Sequence, residues 1–158
     1  MIYRKARTED ALQVAALYRD LAFHIKNGTT DPYWDFEEMP LDLTAEVIKE
    51  YITGDESCVL VAEDNNDIVA IMILEVIPCH MVLYSAKKVG YIGGGYVKEE
   101  YRRKGIMKEL EKMSNDFYRE LGIKYVEVCY LPENKGSKEA WNGMGYQCFR
   151  EQARKCVE

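Results

Sequence analysis

Residues 96–107, Tyr-Val-Lys-Glu-Glu-Tyr-Arg-Arg-Lys-Gly-Ile-Met, pass from a β-like run through a basic loop into the start of an amphipathic segment. That order suits a pyrophosphate. A helix start leaves about four backbone N–H groups without intrahelical partners, and the aligned peptide dipoles add roughly half a positive charge there. Anions collect at such ends. Gly105 lets the backbone approach an anion without a Cβ in the way, and Arg102, Arg103 and Lys104 add charge. Tyr96 and Val97 close the strand before the loop, and Ile106 and Met107 open the helix after it.

The rest of the composition narrows the chemistry. Only His24 and His80 could join the cysteines in a metal site, no C-x-x-C occurs, and no metal is expected. The five cysteines, Cys58, Cys79, Cys129, Cys148 and Cys156, are odd in number and widely spaced. They read as reduced, buried small hydrophobes rather than a disulfide framework. Net charge is −6 with both signs interleaved, which argues against a nucleic-acid or anionic-membrane surface. No apolar run approaches the ~20 residues of a membrane span, and Met1 to Lys5 carries no signal-like apolar stretch, so a cytoplasmic protein is expected. A chain of 158 residues suits a single domain, 1–158.

The elements that must position the loop alternate along the chain. Ile2 to Arg7 reads as a strand, and Thr8 as the N-cap of a helix to about His24. Leu43, Val47, Ile48 and Tyr51 mark a second helix closed by Gly54. Ser57 to Glu63 and Ile68 to Ile77 flank Asp64-Asn65-Asn66-Asp67 and predict an antiparallel hairpin. Lys88 to Val97 continues the meander. Ile106, Leu110, Met113, Phe117 and Leu121 mark a helix stopping at Gly122, before a strand Tyr125 to Leu131 reached by a parallel crossover. A short helix, Ser137 to Met144, and a strand from Tyr146 to Arg150 complete the order.

With that order and the basic turn after its fourth strand, the whole chain resembles the GNAT superfamily of acetyl-CoA-dependent N-acetyltransferases. Arg102-Arg103-Lys104-Gly105-Ile106-Met107 matches the family's Q/R-x-x-G-x-G/A motif at its first and fourth positions, and Met107 departs from it at the sixth. Asn134, Ser137, Gly145 and Tyr146 match a second family signature, in which Trp141 stands where many members carry a tyrosine that protonates the leaving thiolate. The resemblance implies an α/β fold with a mixed, mostly antiparallel sheet flanked by helices and splayed between strands four and five. It implies acetyl-CoA held by the loop residues together with Asn134, Ser137 and Trp141.

Gly93-Gly94-Gly95 lies on the fourth strand, where three glycines mark either a bulge approached by a ligand or a simple interruption. The glutamate that many members place near Gly93 is missing. Glu75, Tyr91 or a water chain could take the amine's proton, though Glu75 also reads as a solvent-facing strand residue. Tyr130 is either a replacement acid or an aromatic packed at a sheet edge. The family's acceptor wall maps onto residues 27–40, with Tyr33, Trp34 and Asp35 as candidate substrate-binding residues. Beside Asp31, Glu37 and Glu38 they would favour a cationic amine, the alternative being a solvated acidic loop.

The expected activity is acetyl transfer from acetyl-CoA to the primary amine of a small-molecule or peptide acceptor by direct attack, in a monomer or homodimer. The alternative is a CoA-binding or sensing module with little or no turnover, suggested by Gly93 and Trp141. Nucleic-acid and membrane partners are not expected.

Overall fold

The structure, a computed structural model, describes residues 1–81 and 83–157. Its strands are β1 (Ile2–Lys5), β2 (Ser57–Asp64), β3 (Asp67–Pro78), β4 (Lys88–Val97) and β5 (Val126–Val128); its helices are α1 (Ala11–Asn27), α2 (Leu41–Thr53), α3 (Ile106–Glu120) and α4 (Lys135–Gly143). The strands form one sheet in sequence order, antiparallel from β1 to β4 and parallel between β4 and β5.

Alternation along β2 and β3 sorts the core into two layers. Val59, Val61, Ile71 and Ile73 pack with Val14, Leu17, Ala45 and Ile48 of α1 and α2. Cys58, Leu60, Met72 and Leu74 face the other way and pack with Ile106, Leu110 and Phe117 of α3 and Trp141 of α4. Period-2 alternation with both faces apolar is what a sheet sandwiched between helices requires. The β2–β3 hairpin turns through Asn65 (φ 51°) and Asn66 (φ 66°), the left-handed pair of a two-residue turn.

β4 carries the feature that matters for a ligand. Ile73 pairs with Gly94 and Leu74 with Ile92, leaving Gly93 as an extra, bulged residue. β5 pairs with β4 only over Gly90–Ile92, so among the described residues nothing pairs with 93–97 on that edge. The sheet splays there. Beneath the paired part, Tyr118 of α3 is buried and donates its hydroxyl to the Tyr91 carbonyl at 2.8 Å. Gly90 makes room for it, since a Cβ there would lie 2.5 Å from the Tyr118 ring.

Several expectations need correction. Arg7, not Thr8, precedes the first turn, a 3₁₀ segment at Thr8–Asp10, and the Arg7 N–H donates to Asp10 Oδ2 at 2.7 Å. Leu43 and Val47 are 69 % and 51 % exposed, because α2 turns Ala45 and Ile48 inward instead. Leu121 lies beyond the end of α3 and is 40 % exposed. β5 is shorter than Tyr125–Leu131. The Tyr146–Arg150 strand is absent: Tyr146 N–H bonds to the Trp141 carbonyl at 3.1 Å and Phe149 rests against His80, so alternation without a strand partner makes no ladder. Of the cysteines only Cys58 is buried; Cys129, Cys148 and Cys156 are exposed.

Candidate active site

The basic loop forms as a cradle of unpartnered N–H groups. Gly105 adopts φ +78° at the N-cap of α3, with no capping side chain, and the Glu109 N–H makes the helix's first bond, to the Gly105 carbonyl at 3.2 Å. The N–H groups of residues 105–108 therefore lack intrahelical partners. A Cβ built on Gly105 would meet nothing within 4 Å, which leaves the approach to that turn open. Arg103, at φ 61°, is also left-handed, so the turn is made by two residues in that conformation.

The side chains around it are placed by their own partners. Arg102 Nε donates to the Val97 carbonyl at 3.1 Å, and its guanidinium lies 5.6 Å from the Tyr96 ring. Lys104 sits 4.9 Å from the centre of the Tyr101 ring. Ile106 is buried as the first core residue of α3. Met107 turns away from the cradle: its Sδ and Cε lie 3.3 Å from where a Gly95 Cβ would stand. Trp141 lies behind it, 6 % exposed, packed on Tyr146 at 5.2 Å between ring centres. Asn134 Oδ1 accepts the Ser137 N–H at 3.0 Å, so these two residues form the N-cap of α4. Gly145, at φ +95°, follows that helix.

The candidate acid–base residues divide between the sheet's two faces. Glu75 pairs with Tyr91 and Tyr91 with Glu127, which sets the three side by side on the α1–α2 face. Glu75 Oε1 lies 3.3 Å from the Cβ position of Gly93, beside the bulge. It is half-buried, and burial pushes its carboxyl above the usual range, the shift expected of a base poised nearer neutrality. Tyr91 is raised well above the ordinary phenol range, first by burial and then by a hydrogen bond to the Cys129 thiol. It stays neutral and can donate but not act as a base. Tyr130 packs with the α3-side cluster, beyond the end of β5 and on the opposite face.

The residue 27–40 segment folds around a 3₁₀ turn at Pro32–Trp34. Asp31 Oδ1 caps it by accepting the Tyr33 N–H at 3.0 Å, and the Tyr33 and Trp34 rings meet edge to face at 6.4 Å. Tyr33 is 73 % exposed. Asp35 pairs with Lys26 of α1 at 3.3 Å, so its charge is already matched within the chain.

The model of the acetyltransferase (GNAT) family matches residues 16–146, most of the chain. The chain belongs to this family. GNAT enzymes use acetyl-CoA, and the protein is an N-acetyltransferase with that donor. Among solved structures, a mutant of the BH1408 protein from Bacillus halodurans is 20 % identical, with 100 % of each chain covered and a TM-score of 0.83. An aminoglycoside antibiotic 6'-N-acetyltransferase, AAC(6')-IG from Acinetobacter haemolyticus, is 13 % identical over 100 % of this chain and 99 % of that one, with a TM-score of 0.79. The aminoglycoside N-acetyltransferase AAC(6')-Iy in complex with CoA is 14 % identical over 98 % and 93 %, with a TM-score of 0.80. No curated protein matches the chain by sequence.

In this GNAT chain, two residues beside the site escape a reading of the sequence. Glu127 on β5 and Cys129 just beyond its end, two residues apart, both meet Tyr91, and the Glu127 side chain is only 13 % exposed. The period-2 spacing of the two was visible; the register that sets them against Tyr91 was not. Among the described residues no helix is long and apolar enough to cross a membrane, and no group of three His, Cys, Asp or Glu could hold a metal ion.

Proposed function

We propose that the chain acetylates the primary amine of a cationic small-molecule or peptide acceptor by direct attack, with Glu75 taking the amine's proton. The observation that carries this reading is the position of the Glu75 carboxylate at the Gly93 bulge, where β4 loses its β5 partner. The N–H groups of residues 105–108, with Arg102, Arg103 and Lys104 around them, would hold the pyrophosphate of acetyl-CoA. The exposed edge of β4 at residues 93–97 would pair with its pantetheine arm. The donor supplies an acetyl group activated as a thioester.

An ammonium has no lone pair and cannot attack, so the first task of the site is to remove a proton from the acceptor. A half-buried carboxylate with a raised pKa suits that task, directly or through one water. The neutral Tyr91 beside it, hydrogen-bonded to Cys129, helps hold the carboxylate's surroundings fixed. The leaving thiolate is tolerable near neutrality, as a thiol's ordinary pKa is about 8.5. That economy fits Trp141, which stands where many members carry an acid: it is buried against Tyr146, and its indole N–H can donate a hydrogen bond but is not acidic enough to protonate a thiolate.

The test is acetyl-CoA turnover against a panel of mono- and polyamines, lysine and peptide N-termini, read as released thiol. Turnover of at least one amine, lost in Glu75→Gln, is the expected result. Stabilisation by CoA with no thiol released from any amine would favour the binding-module reading instead.

A further inference from the structure

The final segment of the chain, 144–157, contains no helix or strand, yet it reaches back to the loop that precedes α2. Phe149 lies against His80 at 6.0 Å between ring centres, and Arg150 Nη2 approaches Glu127 Oε2 at 3.8 Å. Four residues on, the Arg154 guanidinium pairs with Asp31 Oδ2 and lies 4.3 Å from the centre of the Tyr33 ring. A cation therefore sits on a carboxylate and an aromatic face, placed there by the protein itself.

Asp31 is prepared for that cation. Its Oδ1 is occupied as the cap on the Tyr33 N–H, and its own N–H donates to Thr29 Oγ1 at 3.1 Å, so Oδ2 is left facing outward in a fixed direction. Its pKa lies below the usual carboxylate value, first through the Tyr33 N–H and then through Arg154, so it is ionised at neutral pH. The ring of Tyr33 is fixed edge-on to Trp34. Asp35, nearby in the sequence, differs: it already pairs with Lys26 of α1, a residue within a regular helix. The Asp31 partner comes from an irregular terminal segment, and the Arg154 side chain is 53 % exposed.

We propose that Asp31 Oδ2 and the Tyr33 ring form a subsite for an ammonium or guanidinium group of the acceptor, and that Arg154 is its intramolecular occupant. The proposal rests on the acetyl-acceptor reading above and gives it a substrate class: polycations carrying one cationic group besides the amine that reacts. The same tail touches Glu127 through Arg150 and Asp31 through Arg154, four residues on, so it links the subsite to the row that Glu127 shares with Tyr91 and Glu75. A polycation could hold one charge at Asp31 while presenting another amine to that row. Binding requires displacement of Arg154, whose exposed pair with Asp31 is screened and easily exchanged.

The test uses spermine as the polycation and butylamine as the monocation, with binding followed by calorimetry and turnover by released thiol. Arg154→Ala should tighten spermine binding about threefold and lower its KM by a similar factor, with a smaller change for butylamine. Adding Asp31→Asn to that variant should remove the gain, and adding Tyr33→Leu, which leaves the Asp31 cap intact, should remove part of it. If no amine is acetylated but calorimetry shows this dependence on Asp31, the subsite stands and the acetylation reading fails. Spermine binding and KM that do not respond to Arg154→Ala or Asp31→Asn, in variants that still melt cooperatively, would overturn the subsite.

Discussion

Two arginine–aspartate pairs in this molecule use the same chemistry to opposite ends. At the β1 edge, Arg4 meets Asp10 through two nitrogens, at 2.6 and 3.0 Å, and Glu63 through two, at 2.8 and 2.6 Å. The three side chains are 19 %, 12 % and 17 % exposed, and Asp10 also accepts the Arg7 N–H. At the other pair, Arg154 reaches Asp31 from an irregular tail and leaves half of itself in water. The first is closed, with fork-to-fork geometry and a second carboxylate to complete it. The second is open. The same division extends further: the closed corner satisfies its polar groups internally, whereas the N–H groups of residues 105–108 have no intrahelical partner, Glu75 is only half-buried, and Asp31 Oδ2 is held by a half-exposed arginine alone. Substitutions in the first region should therefore change stability, and those in the second should change binding and rate.

The largest effect is expected at the closed corner. Arg4→Met leaves two part-buried carboxylates facing each other without a cation, and removing one member of such a network costs about 3 kcal/mol. For a chain of this size that lowers the melting temperature by roughly 6–12 °C. The dependence on pH has a definite sign: Arg4 holds the Asp10 carboxyl below its usual pKa, so this stabilisation is present above about pH 4, the unfolded value, and lost as pH falls through the folded one. The melting curves of wild type and variant should converge in acid, while the variant's kcat at 25 °C stays near wild type. A variant as stable as wild type at pH 7 would show that the corner is not closed in the sense meant.

Glu75→Gln should do the reverse. If the carboxylate is the base, kcat falls about 100-fold or more, and the acid limb of the wild-type pH–rate profile lies above the ordinary carboxylate range. Stability should rise. Burial raises the folded pKa of Glu75, so the neutral form is favoured in the fold and ionisation costs stability as pH climbs from the unfolded to the folded value. At pH 7 and above the glutamine variant, which has no charge to bury, should melt higher, and the difference should vanish below about pH 4. A loss of both stability and rate would place Glu75 among the structural residues.

Gly105→Val tests the cradle, with a smaller expected effect. The residue is left-handed at φ +78° and a Cβ there meets no protein atom, so the domain should stay folded. A β-branched side chain is strained at that φ and shifts the turn's N–H groups, and CoA should bind about tenfold more weakly by calorimetry. Gly105→Ala should lose less. Unchanged CoA affinity in the valine variant would mean that the anion binds elsewhere.

What could be read from the chain alone follows the distance over which each feature is determined. The Asn65-Asn66 hairpin and the helix after Gly105 are set by neighbours in sequence, and local turn chemistry predicts them, whereas Gly93–Gly95 allowed either a bulge or an interruption until the β3–β4 register chose the bulge. The neighbours of Glu75 are not local. Its place at the bulge follows from the antiparallel β3–β4 register, and the contribution of Glu127 depends on a parallel pairing only three residues long. Tyr146–Arg150 shows the converse error, an alternation that imitates a strand but finds no partner. Trp141 was placed correctly as a residue of the last helix, but its burial against Tyr146 depends on the packing of that helix against the sheet. Least legible of all is Arg154, which meets Asp31 across most of the chain through a segment with no periodicity to read.

The smallest expected effect is the most pointed test of the comparison. Arg154→Ala removes an arginine from an aspartate, as Arg4→Met does, and by a simple count of ion pairs the two should be alike. They should not be. The Arg154 pair is partly exposed, belongs to an irregular tail and is screened by salt, and pairs of that kind are within reach of zero net contribution. The melting temperature of Arg154→Ala should therefore match wild type within about 2 °C, at low salt and at 0.5 M sodium chloride alike. If the variant melts as far below wild type as Arg4→Met, the tail is a structural strap rather than a displaceable occupant. Asp31 and Tyr33 would then belong with Asp10 and Glu63, as groups that the fold has already used.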